Sequence, residues 1–240
     1  MSRAVGSGTA LQSEVLEDLR GARHYRRWLV RLASPYLGDD PIEIGSGIGD
    51  YAEELAVGRA AFTATEADPG RLAVLRERFA DHPVIRVREL SLPARETGSH
   101  SGLVMLNVLE HIEADVDALR SAAALVRPGG AVVVFVPAFN GAMSRFDRLI
   151  GHYRRYTRRS LGAALRAAGL RVERLHYVNS VGLISWFLLM RCARMIPRDG
   201  APLRFYDRTV IRSVAWCERR VRPPFGQSVF AVARVNSGGE

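Results

Sequence analysis

The sequence predicts an α/β protein: a doubly wound sheet of seven strands, mostly parallel with an antiparallel last strand, and a helical cap. Three observations carry that expectation. Short apolar runs alternate with segments of helical periodicity from Pro41 to Val136. The first apolar run opens into a glycine-rich turn, Gly45-Ser46-Gly47-Ile48-Gly49, ahead of a helix. The last run, Ser228 to Val235, has no crossover of its own length, which places it antiparallel.

The elements follow in order. Leu11 to Leu32 carries apolar residues at helical spacing (Leu11, Val15, Leu19, then Trp28, Leu29 and Leu32) and stops at Pro35, so it reads as one amphipathic helix or a pair. Pro41 to Ile44 is the first strand, and Tyr51 to Ala56 is the helix beyond the glycine turn. Ala60 to Glu66 is the second strand, after which Asp68 caps a helix beginning at Pro69 and ending at Phe79. Val84 to Val87 and Ser101 to Leu106 are strands three and four. Ala114 to Val126 reads as a helix ending in the turn Arg127-Pro128-Gly129-Gly130, which feeds the strongest strand, Ala131 to Val136. Past Pro137 come a polar, aromatic loop to Arg159, a helix from Leu161 to Ala168, a strand from Leu170 to Tyr177 and helical segments from Val181 to Val221. Right-handed crossovers in such a sheet put a ligand at the carboxyl ends of the first strands.

Composition narrows the class. A chain of 240 residues that is 48% hydrophobic and 25% charged is neither a disordered tail nor collagen-like. At this size the core needs no disulfide or metal staple, so Cys192 and Cys217 read as reduced. Met1 to Ala10 lacks the apolar run of a secretory signal, and no segment reaches membrane-spanning length, which points to a cytoplasmic protein. All 34 basic residues are arginine, and against 25 acidic residues they leave a net charge of +9. That field attracts nucleic acid, anionic lipid or a phosphorylated small molecule without choosing among them, and a basic but uninformative surface fits as well.

The glycine turn is the most informative stretch, because it lets backbone N–H groups face a ligand unobstructed. A dinucleotide loop wants G-x-G-x-x-G, and here the sixth position is Asp50, whose charge opposes a pyrophosphate. Glu43, two positions before the first glycine, suits instead a ligand that carries an ammonium and a sulfonium.

Glu43-Ile44-Gly45-Ser46-Gly47-Ile48-Gly49 after a first strand resembles motif I of the class I S-adenosylmethionine-dependent methyltransferases. Glu66, ending the second strand, stands where that family's acidic residue accepts hydrogen bonds from the ribose hydroxyls. Asn107-Val108-Leu109-Glu110-His111-Ile112 is similar to the family's segment beside the methionine moiety, and Arg127-Pro128-Gly129-Gly130 to its turn before strand five. His24-Tyr25-Arg26-Arg27-Trp28 resembles a cofactor-covering N-terminal helix of bacterial members. Gly151-His152-Tyr153-Arg154-Arg155-Tyr156 and Pro223-Pro224-Phe225-Gly226-Gln227-Ser228 resemble a bacterial small-molecule subgroup often encoded beside glycosyltransferases. The resemblance spans about Leu11 to Val235 and implies a Rossmann-like fold with S-adenosyl-L-methionine as cofactor. It implies cofactor contacts from Tyr25, Trp28, Glu43, Gly45, Ser46, Gly47, Gly49, Glu66, Ala67, Glu89, Leu90, Asn107 and Val108. The sequence departs from the pattern after strand three, where Glu89 or Leu90 stands in for an aspartate that meets adenine. Each residue also has a plainer reading: Glu66 ends a strand in solvent, Glu43 caps a helix, and Tyr25 and Trp28 pack a helix on the sheet.

The organisation that follows is one domain over residues 1–240. A flexible terminus (1–10) and N-terminal helices (11–40) precede a cofactor-binding half (41–137). A substrate-side half (138–240) carries a helical insertion at about 181–222.

Methyl transfer needs alignment and exclusion of water, and a base where the acceptor is a hydroxyl or ammonium. His111 after strand four and His152 in the loop after strand five are the candidates; the alternatives are a helix cap for His111 and a solvated loop for His152. Tyr153, Arg154, Arg155 and Tyr156 either clamp an anionic acceptor or form a solvated basic face. Val181 to Met190, followed by Arg191, Arg194 and Arg198, is read as a buried helix closing the pocket, with a lid, a subunit interface or peripheral membrane contact through 181–198 as alternatives. No histidine and carboxylate cluster shows metal-ligand spacing along the chain. The Asn-Pro-Pro-Tyr tetrapeptide of base-amine methylation is missing, which argues against nucleic acid. The expectation is transfer to a small-molecule acceptor, oxygen before nitrogen or carbon, against an RNA or DNA methyltransferase, a cofactor-binding protein without transfer activity, or an NAD-dependent dehydrogenase.

Overall fold

The computed structural model describes residues 22–187 and 205–236. The expectations for residues 1–10, for Leu11, Val15 and Leu19, for Cys192, and for Arg191, Arg194 and Arg198 fall outside them. Cys217 is exposed and unbridged.

The described chain runs α1 (Arg23–Ala33), β1 (Ile42–Ile44), α2 (Asp50–Leu55), β2 (Phe62–Glu66), α3 (Pro69–Arg78), β3 (Ile85–Glu89), β4 (His100–Leu106), α4 (Asp115–Ala124) and β5 (Val126–Pro137). It continues through α5 (Arg145–Leu149), α6 (Arg158–Ala167), β6 (Arg171–Val178), α7 (Ser180–Trp186), a π-helical stretch (Asp207–Ile211), α8 (Arg212–Glu218) and β7 (Ser228–Arg234). The seven strands form one sheet in the order β3-β2-β1-β4-β5-β7-β6. Strands β1 to β5 pair in parallel, and β7 inserts antiparallel between β5 and β6. The order reverses between β1 and β4, so the carboxyl ends of these strands frame a crevice.

Both faces are covered, which is why the central strands read as continuous apolar runs. Along β5, Val132, Val134 and Val136 pack with Ala118, Leu119, Leu161 and Leu165 of α4 and α6. The alternate residues Val133 and Phe135 pack with Trp28 and Leu29 of α1, Leu55 of α2, Leu75 of α3 and Val214 of α8. Each such side chain contributes roughly 1.5–3 kcal/mol by leaving water.

Three local expectations change. Arg127-Pro128-Gly129-Gly130 is the start of β5 and not a turn before it, because Val126 already pairs with His100 and the Gly129 N–H donates to the Val235 carbonyl. The loop after β5 contains α5, whose capping box joins Ser144 to Asp147. The described part of the Val181 segment is not buried as a pocket-closing helix: Val181, Ile184 and Phe187 are exposed. Among the described residues no helix is long and apolar enough to cross a membrane.

Helix α1 begins without a side-chain cap of its own. Its first N–H groups are satisfied from far away, since His24 and Tyr25 donate to the Asp207 carboxylate, both at 2.9 Å. The sequence offered no signal for that contact, which spans 183 positions.

Candidate functional site

The turn after β1 is left-handed at Gly45 (φ +71°), Gly47 (+59°) and Gly49 (+91°). Glycine is required twice over at its two ends. A Cβ on Gly45 would stand 2.7 Å from Val108 Cγ2, and one on Gly49 would stand 2.5 Å from Phe79 Cε2. The loop is tied to β2, with the Ser46 N–H donating to the Thr65 carbonyl at 2.7 Å.

Glu66 closes this arrangement. Its Oε2 accepts from the Gly47 N–H at 2.9 Å, and its Oε1 accepts from the Ala67 and Asp68 N–H groups at 2.9 Å and from Arg71 Nη2 at 3.0 Å. Far from ending a strand in solvent, it is 4% exposed and clasps two loops. Glu43 is 2% exposed, and its Oε2 has no hydrogen-bond partner. Burial pushes its carboxyl up to about 7; the Ser46 hydroxyl opposes the shift and the negative charge of Glu66 adds to it.

Asp50 corrects one step of the sequence argument. Its carboxylate accepts from Arg78 Nη1 at 2.7 Å, and Arg26 stands 4.0 Å away, so it presents no bare charge against a pyrophosphate.

The remaining cofactor candidates sort by position. Ala67 and Glu89 are exposed at the ends of β2 and β3, and Leu90 is buried with its N–H donating to the Glu66 carbonyl at 3.3 Å. Asn107 is exposed at φ +55° with its N–H on the Phe135 carbonyl, and Val108 packs half-buried beyond it. All of these lie on one edge, at the carboxyl ends of β1 to β4. Tyr25 and Trp28 lie on α1, and Tyr25 reaches the carboxyl end of β5 at Phe135, whose carbonyl takes the Asn107 N–H. Trp28 is in the core, and the Tyr25 ring meets Phe135 and Trp28 edge-on at 6.5 and 6.3 Å. Burial raises the Tyr25 phenol above its usual range, and Ser228 hydrogen-bonds to it. Both residues hold α1 on the sheet.

The second half of the edge holds a cluster of titratable groups. A turn of 3-10 helix after β4 carries Glu110 and His111, and the loop after β5 returns to it, with the Tyr153 N–H on the Glu110 carbonyl at 2.9 Å. The His111 and His152 rings lie edge to face, their centroids 4.5 Å apart. His152 shows 8% of its side chain and is not in a solvated loop; its Nδ1 is 2.9 Å from Asp147 Oδ1, and its Nε2 is 3.8 Å from Glu110 Oε1. Burial would raise the Asp147 carboxyl, but the His152 hydrogen bond, the Arg155 charge and Ser144 outweigh it and hold it well below the carboxylate range. An ionised Asp147 fixes the His152 tautomer with the proton on Nδ1, leaving the Nε2 lone pair available. Burial, with His152 beside it, pushes His111 down to about 4, so its imidazole is neutral at physiological pH. His111 does not cap α4, whose first turn begins after Ala114.

The four residues after His152 do not converge as a clamp. Arg155 is 4% exposed, with Nε and Nη2 on Asp147 Oδ1 at 3.1 and 2.7 Å. Tyr156 is in the core, its hydroxyl donating to Asp115 Oδ2 at 2.9 Å. Arg154 pairs with the same carboxylate at 2.8 Å and donates to the Glu113 carbonyl. Tyr153 alone is well exposed, at 56%. Sequence reading missed Asp147, which is fully buried and organises this loop; the only signal for it was the Ser144-to-Asp147 spacing of a capping box.

The comparisons with known proteins agree with this geometry. A family model described as a methyltransferase domain matches residues 16–175. No curated protein matches by sequence. Among solved structures, a methyltransferase from Haloferax volcanii, in complex with a methyltransferase activator, is similar over 98% of this chain and 99% of its own, at 17% identity and a TM-score of 0.64. A methyltransferase from Bacillus halodurans is similar over 86% of this chain and 97% of its own, at 15% identity and a TM-score of 0.59. Phosphoethanolamine N-methyltransferase 2 from Haemonchus contortus, solved with phosphomonomethylethanolamine and S-adenosylhomocysteine, covers 89% of this chain with 53% of its own, at 13% identity and a TM-score of 0.61. At these identities the structural likenesses speak to the fold, and the family match speaks to the chemistry. With its glycine turn, its acidic strand ends and a methyltransferase model over two thirds of its length, the chain belongs to the class I S-adenosylmethionine-dependent methyltransferases.

Proposed function

We propose that the protein transfers the methyl group of S-adenosylmethionine to an oxygen of a small-molecule acceptor, in natural-product or cell-surface glycan or lipid biosynthesis. The residues of the edge fit the cofactor. Glu43 keeps a buried carboxylate oxygen without a partner, the natural complement of a ligand ammonium. Glu66 accepts a single bond on Oε2, which leaves acceptor capacity for ribose hydroxyls. Gly45, Ser46, Gly47, Gly49, Ala67, Asn107 and Val108 are the residues that would line the cofactor, with Glu89 or Leu90 at its base. When bound, S-adenosylmethionine supplies the electrophilic methyl group.

One observation carries the oxygen acceptor: a buried His152, oriented by Asp147, at the end of the sheet where the acceptor belongs. A neutral hydroxyl must lose a proton on methylation, and an imidazole with a free Nε2 is suited to take it. Tyr153, exposed on the same loop, suits an acceptor with some apolar surface.

Calorimetric titration with S-adenosylmethionine and S-adenosylhomocysteine, with NAD as control, tests the cofactor. Micromolar binding of the sulfur compounds and none of NAD is expected; failure of both, also with candidate acceptors present, would refute the reading. His152→Ala is expected to lower turnover at least about tenfold with cofactor affinity kept, and unchanged turnover would remove His152 from the reaction. A steep fall of acceptor binding with salt would instead favour nucleic acid.

A further inference from the structure

We propose that Glu110, His111 and His152 form a binding site for a divalent transition-metal cation, with Zn2+ the best-matched ion. One donor atom from each of the three lies within 4.8 Å of the others. Ligand bonds of about 2.0–2.2 Å put donor pairs around one ion roughly 3–4 Å apart, so a side-chain adjustment of at most about 1–2 Å at the widest pair closes the set. The 3.8 Å between His152 Nε2 and Glu110 Oε1 is too long for a hydrogen bond and fits two ligands sharing an ion.

A second observation points to the ligand independently. Glu110 is 0% exposed, and neither carboxylate oxygen has a hydrogen-bond partner. An ionised carboxylate left in that state is costly, and the cost is resolved by taking up a proton, by pairing or by metal coordination, the last of which the two facing imidazoles supply partners for. The neighbouring positive charge is already engaged: Arg155 spends Nε and Nη2 on Asp147.

The surroundings match a metal site beyond its ligands. His152 donates through Nδ1 to Asp147, and Asp147 is in turn held by Arg155, the Ser144 N–H and the Ser144 hydroxyl. A carboxylate on the far nitrogen is how ligating histidines are oriented and their basicity raised. Two imidazoles and one carboxylate leave coordination positions open, as in catalytic and not structural zinc sites. These residues stand at the ends of β4 and β5, so the open positions serve an acceptor oxygen. That last step rests on the proposed transfer to oxygen: with an ion bound, His152 Nε2 would be a ligand and the ion would lower the pKa of the acceptor hydroxyl, whose proton passes to solvent, whereas without one His152 takes that proton itself. Spacing along the chain does not announce the set, because Glu110 and His111 are adjacent and His152 lies 41 positions beyond His111.

The test uses the full chain, stripped with chelator and titrated with Zn2+ by calorimetry and with Co2+ by its visible absorption. S-adenosylhomocysteine binding is measured on the same samples. The expected result is one equivalent bound, weakened at least tenfold in both Glu110→Gln and His152→Ala, with S-adenosylhomocysteine affinity kept within about twofold. No binding by the unaltered chain, or stoichiometric binding that survives Glu110→Gln, overturns the proposal. Glu110→Gln preserves volume, and the result on the unaltered chain stands without any variant. Loss of S-adenosylhomocysteine binding in the unaltered chain would instead be a failure of the methyltransferase reading, separate from the fate of the metal.

Discussion

Replacing Glu66 by glutamine separates its part in folding from its proposed part in cofactor binding. The carboxylate accepts four donors, three on Oε1 and the Gly47 N–H on Oε2, and only 5% of the side chain is exposed. An amide whose oxygen takes the Oε1 place keeps three acceptor contacts but turns its NH2 against the Gly47 N–H. One buried donor is left unsatisfied, at about 1–3 kcal/mol, and the bond from the Arg71 guanidinium loses its charged acceptor, at about 1 kcal/mol more. The expected loss is therefore about 2–4 kcal/mol, which a domain of ordinary stability survives folded. Urea unfolding followed by tryptophan fluorescence measures it, and calorimetry with S-adenosylhomocysteine measures affinity, expected to fall at least tenfold, or about 1.4 kcal/mol. A change in stability below about 0.5 kcal/mol would refute the clasp. A large loss of stability with unchanged affinity would leave Glu66 as a loop fastener with no place in the site.

Further outcomes follow from two buried carboxylates, Asp147 and Glu43. Asp147→Asn strands the Arg155 charge in a buried setting and is expected to cost about 3–5 kcal/mol, measured by urea midpoint; a near-neutral result would show that the loop does not depend on this pair. Glu43 has a folded pKa of about 7 against an ordinary 4.5, so the folded form holds the proton more tightly than the unfolded chain. Its contribution to stability is fully present below about pH 4.5 and is lost as pH rises through about 7. Unfolding at about pH 5 and about pH 8 should show this decline in the unaltered protein and not in Glu43→Gln. An ammonium beside Glu43 would favour the ionised form, so cofactor binding near neutral pH should release a proton, seen as a buffer-dependent calorimetric enthalpy.

The parts of the fold legible in the sequence are those with local causes. The apolar run from Ala131 to Val136 announces a strand covered on both faces, and Asp68 before Pro69 announces a helix start that the structure confirms through the Asp68 side chain on the Arg71 N–H. The turn Gly45 to Gly49 was legible because a left-handed backbone selects glycine wherever it occurs. Local pattern also misled: Arg127-Pro128-Gly129-Gly130 has turn composition, yet pairing with His100 and Val235 makes it strand. The apolar spacing of the Val181 segment says that one face is greasy and nothing about what covers it.

What the sequence determined by itself was the order of elements, the parallel sheet and the left-handed glycine turn after β1, since each depends on residues within a few positions of one another. The tertiary structure decided which polar groups meet. It turned Arg155 and Tyr156 from exposed candidates into buried fastenings of Asp147 and Asp115, and it neutralised Asp50 with Arg78. It brought Glu110 and His111 against His152 across 41 positions. The physical reason is that hydrophobic periodicity is written residue by residue, whereas the partner of a buried charge is fixed only when the strand ends converge.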